Sequence, residues 1–326
     1  LLTDPLLGAG TLIGAESVDR DAMTLAAQFC EANRFYWDGV ISQEQNLREF
    51  IFEQAAFCML DFTIKGGRFA LLPSVTYGNK FRINPESLPK IKALFTDGNI
   101  RSMEVSFLQP EERQPFQAAV LYRSETKNGF SQTRTKIIRL SPDDPVEQFD
   151  LTQFCTNEDH AIAFGKFALA TRTLVTHGIK FDTTPNAVAG LEPGDYMRVA
   201  TTVNHVSTSR SGSIDPSGFI QTASTIGTGG IQIIYWTTNT ETVQEGRLNV
   251  EFRDGFTQPV TKQKSLFNSL WCEQVQSTQE RIYKVESISF AEDGLIEVTG
   301  SEIPLTSSGQ LATLEWVENE IYEVVG

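Results

Sequence analysis

One uninterrupted helical signal, set in a chain otherwise cut into short extended runs, most constrains what this sequence can form. After Thr156, the residues Ile162, Phe164, Phe167, Ala168, Leu174 and Val175 recur at helical spacing with no proline until His177 and Gly178. Thr156, with Asp159 three residues on, predicts the helix start: the hydroxyl accepts a free backbone N–H and the carboxylate faces the positive helix end. His177-Gly178 predicts the C-terminal cap. A helix of about 20 residues is roughly 30 Å long and would act as a central spacer. Beyond it, Ile179–Thr183 reads as a strand, Gly190–Asp195 as a turn and Tyr196–Val203 as the returning strand of a hairpin.

The flanking stretches divide around this element. Asp19 caps an expected helix bearing Met23, Ala26, Ala27, Phe29 and Cys30, and Ser42 with Gln45 opens a second one carrying Leu47, Phe50, Ile51, Ala55 and Cys58. Leu60–Lys65 and the run from Arg68 then read as a hairpin around Gly66-Gly67, completing a helix-helix-hairpin unit over 1–75. From 76 to 150 six prolines separate short strand patterns, with one short helix expected at Ile91–Phe95; this is the first β-rich domain. Residues 151–203 hold the central helix and hairpin, and 204–326 a second β-rich domain. The latter contains a Ser/Thr/Gly-rich excursion at 205–230 and a helical or irregular interlude at Ser265–Ser277. The expected fold class is α+β and β-rich, with tandem β-barrel-like domains.

Charge narrows the partners. The 326 residues carry −14 at neutral pH, of which residues 1–150 hold −4 and residues 151–326 hold −10; from Val285 to Gly326 there are nine acidic residues and no Lys or Arg. A protein that grips nucleic acid by its phosphates needs the opposite sign. An acidic surface is mostly a solubility device, and it could also line a passage through which DNA slides without sticking. Arg123, Lys127, Arg134, Lys136 and Arg139 form the one basic cluster, read as pairing with an acidic face of a neighbouring subunit, with DNA contact as the alternative. No apolar run reaches the roughly 18 residues of a membrane-spanning helix. Four cysteines with no CxxC pair read as buried free thiols, in keeping with assembly in a reducing cytoplasm.

The chemistry-bearing residue types fall in scaffold positions. His160 and His177 sit at helix ends and His205 beside a polar stretch; no HExxH, Cys/His metal spacing, GxSxG or Walker sequence occurs. Glu111-Glu112, Asp143-Asp144 and Glu292-Asp293 are adjacent acids in Pro- or Gly-marked turns, the pattern of solvated loops more than of a paired-carboxylate hydrolase. Gly227–Gly230 lacks the Lys-Ser/Thr and helix of a phosphate cradle. No catalytic, cofactor or metal residue is assigned.

A series of short motifs nonetheless runs in order along the chain. Leu2-Thr3-Asp4-Pro5 with Gly8 and Gly10, Val18-Asp19, Ala26–Cys30, Phe35–Gly39, Gly66–Phe69, Leu94-Phe95 with Gly98–Ile100, Leu191–Asp195, and Tyr283–Ser289 with Gly294 and Val298 resemble the central part of phage tail-tip proteins of the host-specificity (lambda J-like) group. The resemblance implies a structural protein at the tail tip of a virion, a baseplate hub that closes the tail tube and adapts it to a three-fold tip for host attachment and DNA passage. It implies a homotrimer whose partners are distal tail or tail-tube proteins and other tail-tip or fibre proteins, with DNA as passing cargo and receptor contact indirect. Thr156, Phe164, Phe167, Pro193, Gly194 and Asp195 are the expected structural and interface residues. An adhesin acting through 205–230 and a tail-associated cell-wall hydrolase are the alternatives.

Overall fold

Asp19 starts the first helix as expected. In the computed structural model its carboxylate accepts the backbone N–H groups of Asp21 and Ala22 at 3.1 and 3.0 Å, capping α1 (Arg20–Asn33). The structure describes residues 2–3, 9–41, 46–84, 86–87, 89–125, 131–201, 211–217, 219–222, 229–237, 244–253, 256–257, 269–273, 281–306 and 320–325. Asn46 caps α2 (Leu47–Phe57); the expected pair Ser42 and Gln45 lies outside the described residues. β1 (Leu60–Lys65) and β2 (Arg68–Pro73) form the expected hairpin. Gly66 and Gly67 take left-handed φ of 54° and 76°, as a two-residue turn with the twist of its strands requires.

The chain continues with β3 (Ile91–Thr96), β4 (Ile100–Phe107), β5 (Gln117–Glu125), β6 (Ser131–Arg139), β7 (Val146–Asp150), α3 (Glu158–Leu174), β8 (His177–Thr183) and β9 (Tyr196–Ala200). Short strands follow at β10 (Ser211–Ile214) and β11 (Ile220–Thr222), then β12 (Gly229–Thr237), β13 (Gln244–Arg253), β14 (Phe256–Thr257) and β15 (Leu270–Glu273). A last hairpin, β16 (Arg281–Phe290) and β17 (Ile296–Ile303), precedes β18 (Glu320–Val325). The fold is α+β and strand-rich.

Two compact units share the chain by interleaving. Unit 1 takes Leu1–Leu88, Gln109–Val175 and Leu305–Gly326; unit 2 takes Pro89–Leu108 and Thr176–Pro304. Strand pairing reaches far along the sequence. The C-terminal β18 adds to β6, whereas β3 and β4 join β9 and β8.

In unit 1, β18-β6-β5-β7 form an open four-stranded sheet against which α3 packs. Gly165 permits the approach: a Cβ there would stand 2.7 Å from Ile138 Cδ1 and 3.0 Å from Val120 Cγ2. Phe164 enters the sheet-side core of Phe116, Val120, Ile138, Leu151 and Phe154. Ala163 and Phe167 pack on a second cluster, of Phe29, Phe35, Met59 and Leu60 from the helix-helix-hairpin elements. One helix thus serves two cores.

In unit 2 the sheet β3-β9-β16-β17-β8-β4 curls into a half-barrel. Its two edge strands, β3 and β4, are joined by only Asp97, Gly98 and Asn99. Laid flat, six strands would hold those edges about 24 Å apart; a link of four Cα–Cα steps spans at most about 15 Å. Curling meets the constraint and encloses a core of Phe95, Phe181, Met197, Val199, Tyr283 and Val298. A second sheet, β11-β10-β15-β12-β13-β14, is antiparallel throughout.

Four expectations are corrected. Ile91–Phe95 is strand, since its short apolar run fills a buried sheet edge. β8 and β9 are not a hairpin: β16 and β17 lie between them, and the connection, carrying a 3-10 turn at Pro185–Val188, is too long for a tight turn. The 205–230 excursion contains β10 and β11, and the interlude at Ser265–Ser277 contains β15, which pairs with β10 and β12. The remainder of both stretches lies outside the described residues.

Candidate functional site

The clearest built feature among the expected residues is the corner at Pro193, Gly194 and Asp195. Asp195 N–H donates to Glu192 O at 3.0 Å, closing a turn with Pro193 and Gly194 at its centre. Gly194 has φ 90°, the left-handed value that a turn of this kind requires of its third residue. The Asp195 carboxylate accepts Glu192 N–H at 2.9 Å and holds Lys92 Nζ at 2.9 Å from each oxygen. On the other side Gly194 N–H donates to Val285 O and Val285 N–H to Asp195 O, both at 2.8 Å. The β16/β17 register shifts between Val285 and Ser287. The corner therefore ties the start of β9 to the bulge of β16 and to edge strand β3.

Thr156 plays another role than the cap expected of it. Asn157 caps α3, its side chain accepting Asp159 N–H at 2.9 Å, while Thr156 Oγ1 donates to Asp38 Oδ2 at 2.6 Å. A longer amide side chain one residue on reaches the free N–H, which leaves the hydroxyl to anchor the loop after α1. Phe164 is 7% exposed, edge-on to Phe57 and Phe149 with ring centroids 5.1 and 5.3 Å away. The basic cluster is partly spent within the chain: Lys136 Nζ, buried, lies 2.7 Å from Glu158 Oε1, and Arg123 donates to Asp38 O. Lys127 lies outside the described residues.

Both described histidines are buried. α3 ends at Leu174 with Val175 as cap, so His177 opens β8 and does not cap the helix. Its Nε2 is 2.8 Å from Tyr283 Oη and its Nδ1 3.1 Å from Glu302 Oε2 and 2.7 Å from Thr176 Oγ1. Burial raises the Tyr283 pKa, so the phenol keeps its proton beside Nε2. Glu302 also accepts Thr176 N–H at 3.1 Å and pairs with Arg281. Burial pushes its pKa up, but the hydrogen bonds from His177 and Thr176 outweigh that and hold it at about 2. Leu108 N–H donates to Thr176 O at 3.0 Å, so the strand ends of β4, β8 and β17 meet in one polar knot. With His177 2% and Tyr283 0% exposed, this tyrosine-histidine-glutamate line is buried and joins the strand ends. His160 donates Nε2–H to Phe57 O at 2.9 Å, and burial lowers its pKa, keeping the ring neutral.

The acidic pairs serve turns. Glu112 accepts Gln109 N–H at 2.7 Å and Asp144 accepts Ser141 N–H at 3.1 Å. Among the described residues no three His, Cys, Asp or Glu side chains converge as metal ligands. Sequence reasoning missed Glu302 and Lys92, and placed Tyr283 and Asn99 in motifs without seeing their contacts. Asn99 had a visible signal, an Asn after Gly98 between two apolar runs, and it accepts Thr96 N–H at 2.7 Å to close the β3/β4 link.

No protein-family model matches the chain, and no curated protein matches it. Among solved structures it is similar to a chain of the virion of a native gene transfer agent (GTA) particle, at 11% identity and TM-score 0.38, over 85% of this chain and 46% of that one. It is similar to the tail protein from Neisseria meningitidis MC58, at 9% and 0.36, over 86% and 65%. A third is the 43 kDa tail protein of prophage MuSo2 from Shewanella oneidensis, at 8% and 0.31, over 80% and 53%. The chain spans roughly half to two thirds of the length of these proteins.

Proposed function

We propose that this chain is a structural component of a phage-type tail, placed at the tail tip as a baseplate hub. The observation that carries the reading is where the ordered motifs fall. Val18 bridges to Phe69 and Asp19 N–H donates to Phe69 O at 2.9 Å, joining the α1 cap to β2. Gly66-Gly67 makes the β1/β2 turn, Gly98-Asn99 the link that forces the sheet to curl, Pro193–Asp195 the corner on β16, and Gly294, with φ 74°, the β16/β17 turn. Each of these five motifs is used to hold strands in place, as is buried His177, while His160 and the hydrogen-bonded acids secure a helix end and turns. That is the economy of a scaffold whose product is shape.

On this reading three copies form the hub, tail-tube and other tail-tip proteins are its neighbours, and DNA passes through without being gripped, in keeping with the acidic balance. Deletion of the gene from its phage tests the role. Tails that lack a tip, or fail to assemble, are expected, with rescue by the gene supplied in trans; normal infectious particles would contradict it.

A further inference from the structure

His160 is the third residue of α3 and is fully buried where the start of that helix meets the elements before it. Its ring centroid lies 4.7 Å from that of Phe35, in the loop after α1, and 6.3 Å from that of Phe154. Nε2–H is taken by Phe57 O at the end of α2, 2.9 Å away. Nδ1, also buried, meets no donor among the described residues. A neutral ring tolerates this as a bare acceptor in an aromatic lining. A protonated ring would carry a charge and an Nδ1–H there, with no acceptor to take the hydrogen. The first turn of a helix is also its positive end, where a cation is disfavoured. The Phe35 ring, tilted by 32°, compensates only in part, because the Nδ1–H bond stays unmade.

The charged groups on the elements that touch the ring are engaged with other partners. Glu158 pairs with Lys136, Asp159 with Arg34 at 4.0 Å, and Asp38 accepts the Thr156 hydroxyl and offers its carbonyl to Arg123. The thiols of Cys58 and Cys155 have raised pKa values and carry no charge in the acid range. We propose that His160 is an acid-sensitive latch: a proton taken up at Nδ1 releases the loop after α1 and the end of α2 from the start of α3, while α3 keeps its seat on the sheet. Phe164 and Gly165, one turn on, hold that seat. Burial lowers the pKa of His160 from the ordinary 6.5, and the bond to Phe57 O offsets this only in part. The latch therefore holds fully above pH 6.5 and yields as pH falls below it. Its opening would bare Ala163 and Phe167, the α3 residues that pack on the Phe29 cluster.

The test is hydrogen exchange of the full folded chain, read amide by amide from about pH 7.5 to about pH 5 and corrected for the intrinsic rate. Two amides report on the seam: Asp38 N–H, which donates to Phe154 O at 2.7 Å, and Ala161 N–H, which donates to Asn157 O at 3.2 Å. Their protection should fall at least about tenfold as the pH drops, with that of β5 and β6 unchanged. The midpoint should coincide with the titration of the His160 ring followed by NMR. His160→Gln, whose amide can still donate to Phe57 O but takes no charge, should show no fall. If that variant does not fold, the coincidence of the two midpoints in the unsubstituted chain decides. Equal protection at both ends of the range, a loss shared with β5 and β6, a midpoint away from the His160 titration, or a fall that persists in His160→Gln would overturn the proposal.

Discussion

Replacing Gly165 with alanine sets two known effects against each other. At an open helical site the change stabilises by about 1 kcal/mol, because glycine is the poorer helix former. At Gly165 the new methyl would meet Ile138 Cδ1 at 2.7 Å and Val120 Cγ2 at 3.0 Å, and both side chains are fully buried. Overfilling a packed core costs about 1–3 kcal/mol. Two close neighbours argue for the upper part of that range, so Gly165→Ala should destabilise unit 1 by a net of about 1–2 kcal/mol. The nearer clash is with the far end of an isoleucine, and this gives the argument a second edge. Ile138→Val removes that Cδ1 and alone costs about 0.5–1.5 kcal/mol; in its background the added methyl fills part of the vacated space, so Gly165→Ala should become neutral or stabilising. A double-mutant cycle should then show coupling of about 1 kcal/mol or more. Hydrogen exchange of the α3 amides, which reports on unit 1 itself, is the appropriate readout beside urea denaturation. A stabilising Gly165→Ala in the unsubstituted chain, or strict additivity with Ile138→Val, would refute the close packing of α3 on the sheet.

Three further outcomes are expected. Phe167→Asp places a charge against the Phe29 cluster and should cost about 3 kcal/mol or more, read as lost soluble yield and a lower Tm. Gly194→Ala should cost about 1–2 kcal/mol through its left-handed φ, and Asp195→Ala about 1–3 kcal/mol by leaving Glu192 N–H unpaired; denaturation midpoints check both. Glu302 is held at about 2 in the folded chain against an ordinary 4.5. Its contribution, of order 3 kcal/mol at most, is therefore present above pH 4.5 and lost as pH falls from there toward 2. A urea series across that window should show the decline, and Glu302→Gln should flatten it.

Sequence carried the local features and lost the distant ones. Gly66-Gly67 between alternating runs dictates a hairpin by backbone geometry alone, and Asp19 and the periodicity of α3 are equally local signals. The run Ile91–Phe95 has too few residues for periodicity to separate helix from strand, and the sheet edge decided it. Ile179–Thr183 and Tyr196–Ala200 were legible as strands, but their separation by β16 and β17 depends on residues about 100 positions away. His177 looked like a helix cap because its true partners, Tyr283 and Glu302, lie 106 and 125 residues on. Of the expected interface residues, Pro193, Gly194 and Asp195 form a corner whose turn was readable and whose attachment to Val285 and Lys92 was not.

The measurement that tests the central claim most directly is the copy number and position of this chain in intact particles, by imaging at a resolution that traces its strands. Three copies around the axis at the distal end of the tail, with α3 and the half-barrel sheet recognisable in each, are predicted. Absence of the chain from tails, or one or six copies at the tip, would contradict the account.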